Sequence, residues 1–157
     1  GMKLATIQTP QGNRAVLFHD GAHIDINATD PSLPSSVKAI LEAGDEVLKK
    51  VKALGGSAKA VKIAADKIVF ESPVVDPNKV VCIGLNYKDH AAESGMPIPK
   101  EPVLFSKFPT ALTGHDQPIL LPPVSTKVDY EAELVLVVGK KGKNLKIPVS
   151  GKNGAGL

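Results

Sequence analysis

The sequence has no tryptophan, and its other aromatics are only four phenylalanines and two tyrosines. Its core must therefore be built from aliphatic side chains. A single cysteine, Cys82, excludes an internal disulfide and fits a reducing compartment. It stands in the apolar run Val80-Val81-Cys82-Ile83, where it reads as a buried, inert thiol. No apolar run approaches the roughly 18 residues of a membrane span, and no signal peptide is visible. Acidic residues stop at Glu133, after which come Lys140, Lys141, Lys143, Lys146 and Lys152. That basic end has no interleaved aromatics and no amphipathic helix, so neither nucleic acid nor a membrane is expected as a partner. The expected location is cytoplasmic, or mitochondrial if the source is eukaryotic. A net charge of +3 with 43% hydrophobic and 22% charged residues excludes general disorder. The 157 residues suffice for one domain, or for a small domain and a piece of another.

The front of the chain is patterned for strands and helices. Residues 3–9 and 14–19 read as two strands joined by Pro10-Gln11-Gly12-Asn13, which supplies turn chemistry. A short extended piece is expected at 24–26. Residues 35–54 read as two helical pieces, the first capped by Ser35 and ended by Gly44, the second capped by Asp45. Val47, Leu48, Val51 and Leu54 recur at helical spacing, with Lys49, Lys50 and Lys52 on the other face. Another strand is expected at 68–70. Ser72-Pro73 and Asp76-Pro77-Asn78 then break regular structure, which divides the chain into a small domain at 1–75 and a second part at 76–157. In that second part strands are expected at 79–83, 103–105, 119–121 and 128–138, and residues 142–157 read as loop or tail.

Three segments can carry chemistry. In Asp129-Tyr130-Glu131-Ala132-Glu133, a strand would place Glu131 and Glu133 on one face with Cα atoms ~6.6–6.8 Å apart. Two carboxylates at that spacing can share a hard cation such as Mg²⁺, Ca²⁺ or Mn²⁺, or can be acidic outer positions of a structural strand. In Gly84-Leu85-Asn86-Tyr87-Lys88-Asp89-His90-Ala91-Ala92-Glu93, one helical turn would set His90 beside Glu93. A carboxylate beside an imidazole suits general-base work, or the two form an exposed helix pair without a catalytic role. Lys107 follows an apolar strand and precedes Pro109, where it could meet a substrate carboxylate or remain a surface lysine. His19, His23 and His115 read as surface residues.

These segments in this order resemble the fumarylacetoacetate hydrolase family. The similar stretches are KVVCIGLNYKDHAAESGMPIPKEPVLFSKFPTAL, ILLPP and VDYEAELVLVVGKKGKN, about 65 residues from Lys79 to Lys143. The front of the chain also looks like the small amino-terminal domain of such proteins. The resemblance implies an α/β (α+β) chain: a small domain of strands and helices followed by an incomplete mixed β roll. It implies cleavage of a carbon–carbon bond in a dioxo acid by metal-dependent hydrolysis, with tautomerisation or decarboxylation of a keto acid as the alternative. A self-associating module without catalysis is the reading from another class. By resemblance, His90 and Glu93 form the catalytic dyad on a mobile lid, and Glu131 and Glu133 bind the ion, usually Mg²⁺; from its place at the strand end, Lys107 is the expected contact for a small keto-acid substrate. The family's third ligand, a later Asp, has no counterpart after Glu133. The chain is therefore expected to be incomplete and by itself inactive, with weak metal binding. It is also expected to associate as a homodimer through the 128–138 strand.

Overall fold

The computed structural model describes residues 1–146 (for His90, the backbone alone). Its front half is a five-stranded antiparallel sheet in the order β4-β3-β2-β1-β5. The strands are β1 (Lys3–Thr9), β2 (Gly12–His19), β3 (Ala22–Asp25), β4 (Lys62–Ile63) and β5 (Phe70–Glu71). The expected hairpin forms with Thr9 opposite Gly12, so Pro10 and Gln11 make the turn, and Gly12 takes the positive φ of 97° that a side chain would resist. β3 occupies most of the predicted 24–26 piece, while the last expected strand of this region begins two residues late, at Phe70. The two-residue β4 gave no signal in the sequence.

Three helices cover the sheet: α1 (Ile26–Thr29), α2 (Val37–Glu42) and α3 (Asp45–Ala53). Ser36, not Ser35, caps α2, its hydroxyl accepting from Ala39 N at 3.1 Å. The carbonyl of Ser35 instead accepts from Ala15 N at 2.7 Å, which ties the helix entry to β2. Gly44 separates α2 from α3 with φ 85°, and Asp45 is the first residue of α3 instead of its cap. Asp45 and Glu46 in the first turn and Lys50 and Lys52 in the last complement the helix dipole. Ala15, Leu17, Ile24, Ile26, Leu33, Val37, Ile40, Val51 and Leu54 pack into one core, aliphatic as the lack of tryptophan requires. Asp25 is buried at its edge and receives Arg14 Nη2 at 3.1 Å and Ala28 N at 2.9 Å, so its charge is paired and α1 is capped by one carboxylate.

The chain leaves this sheet through a gripped connection. The Thr6 hydroxyl donates to the Pro73 carbonyl at 2.7 Å, and Lys38 Nζ donates to Asp76 O and Asn78 Oδ1, each at 2.9 Å. Beyond it, β6 (Val80–Gly84) and β7 (Val103–Lys107) form a separate two-stranded antiparallel ribbon. Cys82 lies half-buried in β6 opposite Phe105. Between the two strands, α4 (Lys88–Glu93) is anchored by Ala91, which is 1% exposed.

Two expectations fail here. Residues 119–121 and 128–138 carry no strand. A strand exists only where its N–H and C=O groups meet a ladder partner, and the sheets formed by the described residues comprise β1 to β7 alone. Ile119, Leu120, Val135 and Val138 are instead largely exposed, as are Val81, Ile83 and Leu104 on one face of the ribbon. The expected tail from 142 is irregular as far as 146 and lies outside the described residues after that.

Candidate functional site

The segment after β6 owes its shape to one backbone turn. Leu85 adopts φ 53°, an uncommon angle for a side-chain-bearing residue, and this turns the chain out of the ribbon. Tyr87 then opens α4, its carbonyl accepting from Ala91 N at 3.1 Å. At the other end Ala91 O accepts from Met96 N at 3.1 Å, and Gly95 takes φ 64°, so the helix is closed after Glu93. His90 and Glu93 thus occupy positions three apart in one helix, on the same side of it. Glu93 is exposed.

The carboxylate segment reaches this element through a residue that pattern reading had not singled out. Leu134 N donates to the Tyr87 hydroxyl oxygen at 3.4 Å, across 47 positions of sequence. Glu133 precedes Leu134, so the Glu131–Glu133 segment lies beside the element that carries His90 and Glu93. Both glutamates are exposed and stand in irregular backbone. Lys107 is placed elsewhere. The ribbon register pairs Gly84 with Val103 and Val80 with Lys107, which leaves the lysine four residues, about 13 Å of strand, from the end that leads into α4.

The resemblance implies a divalent ion, but the donors among the described residues do not make a set that fits one. Among the described residues no group of three or more His, Cys, Asp or Glu side chains could hold a metal ion. Two exposed carboxylates fall short of the oxygen set that Mg²⁺ or Ca²⁺ requires, and no chemical step is derived through an ion.

An open cleft of about 300 Å³ lies elsewhere, between the front sheet and the turn at 114–117. Its lining includes His23, Phe70, His115 and Asp116, and none of the residues singled out for chemistry. His23 is half-buried, its ring 5.0 Å from Phe18 and 5.6 Å from Phe70, while His115 lies 6.0 Å from Phe70 on a more exposed position. Outside the core, Lys140 Nζ meets Asp45 Oδ2 at 2.8 Å. The hydrogen bond and charge of Lys140 hold the Asp45 carboxyl below its ordinary range and are matched by an upward shift of the lysine.

Residues 79–152 match the model of the fumarylacetoacetate (FAA) hydrolase C-terminal family. The chain is 40% identical over 149 residues to oxaloacetate tautomerase fahd2, mitochondrial, of Xenopus laevis, covering 92% of this chain and 46% of that protein. It is 43% identical over 126 residues to oxaloacetate tautomerase FAHD2A, mitochondrial, of Homo sapiens, covering 80% of this chain and 40% of that protein. A crystal structure from Mycobacterium smegmatis, provisionally described as an HpcE protein, superposes with a TM-score of 0.58 at 27% identity over 75% of this chain and 40% of its own. Residues 79–152 thus belong to the fumarylacetoacetate hydrolase family. The chain spans less than half the length of these relatives.

Proposed function

We propose that this chain carries the acid–base segment of a keto–enol tautomerase acting on oxaloacetate or a closely similar keto dicarboxylic acid. The observation that carries the reading is the placement of His90 and Glu93 three apart on α4, in a chain 40% and 43% identical to two proteins named oxaloacetate tautomerases. Those names favour tautomerisation over the carbon–carbon hydrolysis that the resemblance put first. Their mitochondrial designation likewise favours the mitochondrial over the cytoplasmic location.

The chemistry asks little of the protein beyond a poised base. Converting the keto form to the enol breaks a C–H bond beside the ketone, forms an O–H bond, and moves the double bond from C=O to C=C. An imidazole titrates near neutral pH, so it can take the carbon proton and a protonated imidazole can return one to oxygen. In this reading the role of Glu93, three positions on in the same helix, is to orient the imidazole. Lys107 is the candidate for the substrate carboxylate, although the ribbon sets it away from α4.

The test is a hybrid in which residues 79–146 of this chain replace the matching stretch of the Xenopus laevis relative. The hybrid should accelerate loss of the enol's ultraviolet absorbance, and His90→Gln or Glu93→Gln should slow it by about 10²-fold or more, the scale of general acid–base catalysis. A folded hybrid no faster than buffer would overturn the proposal.

A further inference from the structure

The geometry points to Tyr87 as a positioning residue that ties the Glu131–Glu133 segment to the element bearing His90 and Glu93. This inference deepens the tautomerase reading and rests on it for its kinetic consequence only.

Both ends of Tyr87 are engaged. Its carbonyl accepts from Ala91 N at 3.1 Å and so sets the first turn of α4. Its hydroxyl oxygen accepts from Leu134 N at 3.4 Å, one residue beyond Glu133. The same residue therefore fixes the start of the helix and holds the backbone next to the second carboxylate. The phenol suits this task because its ring is a rigid spacer with two χ angles. The chain around it is also fixed: Leu85 turns the backbone at φ 53°, and Ala91 is 1% exposed, so the helix cannot readily roll to release the ring. On the other side, residues 128–138 have no sheet pairing among the described residues. The Tyr87 hydroxyl therefore acts on backbone that no ladder among the described residues holds.

Amide exchange on the full chain decides the matter. Tyr87→Phe keeps the ring and the backbone carbonyl and removes only the hydroxyl. Exchange at Leu134 should quicken about fivefold, the loss expected for one hydrogen bond of ordinary net strength, while exchange at Ala91 stays unchanged. A merely structural role for the side chain in α4 would move Ala91 as well. Unchanged exchange at Leu134, or equal acceleration at Leu134 and Ala91, would overturn the assignment. In the hybrid enzyme, Tyr87→Phe should lower kcat and leave KM nearly unchanged, as expected for a group that aligns the reacting groups without binding substrate. If the unsubstituted hybrid is inactive, the tautomerase reading fails and the exchange result still decides the role of Tyr87.

Discussion

Gly114→Ala should loosen the chain, although most glycine-to-alanine changes at ordinary backbone angles stabilise by about 0.4–1 kcal/mol through the unfolded state. Gly114 is buried against the backbone of β5, one of the two edge strands of the front sheet. A Cβ there would overlap the Phe70 carbonyl oxygen and lie 2.8 Å from Glu71 Cα, backbone atoms that cannot swing aside as a flexible side chain would. Keeping the turn docked would cost about 1–3 kcal/mol of overpacking. Releasing it would forfeit the Phe70–His115 ring contact, about 0.5–1.5 kcal/mol, and uncover the β5 edge. The cheaper route decides, and after the entropic gain the net loss is about 0.5–1 kcal/mol. For a chain of this size that is a fall of about 1–4 °C in Tm. The assay is thermal unfolding together with the proton shifts of the His115 ring, which should lose the ring-current effect of Phe70. A raised Tm with unchanged His115 shifts would refute the reasoning, because it would mean that no backbone stands where the Cβ must go.

Three further outcomes follow from the same geometry. The Asp45 carboxyl is held low by Lys140, so their contact should be complete at neutral pH and be lost as pH falls through Asp45's depressed pKa, or as pH rises through the raised pKa of Lys140. Carboxyl-carbon titration should show Asp45's midpoint moving up toward the ordinary range in Lys140→Met, and an unmoved midpoint would contradict the contact. Calorimetry with Mg²⁺ should show no micromolar binding, since the described donors form no cluster of three. Tight binding abolished by Glu133→Gln would show that further ligands are supplied from somewhere else. Replacing Asp25 with Ala should cost about 2–4 kcal/mol in chemical denaturation, from a lost helix cap and a weakened partner for half-buried Arg14, and a loss below 1 kcal/mol would count against that network.

What was legible in the sequence was mostly local. The β1–β2 hairpin, α2 and α3 could be read because turn residues and apolar spacing act over a few positions, and the errors at Ser35 and Asp45 are shifts of one residue. The 68–70 strand was two residues early because its pairing with Thr6 and Ile7 of β1, not its own pattern, sets where the ladder starts. Residues 128–138 have strong strand composition but no ladder among the described residues, and composition cannot supply a partner. The positions of His90 and Glu93 were legible because helical spacing is local. Tyr87 was not, because its role depends on a contact 47 residues away. Nor was the packing of His23 between Phe18 and Phe70, which the sheet order creates.

The most direct measurement of the central claim follows the C3 protons of oxaloacetate by NMR in D₂O with the hybrid enzyme and its His90→Gln variant. Proton abstraction by His90 predicts rapid deuterium incorporation at C3 with the carbon skeleton intact, falling to near the buffer rate in the variant. Accumulation of two smaller acids, or incorporation that does not depend on His90, would contradict it.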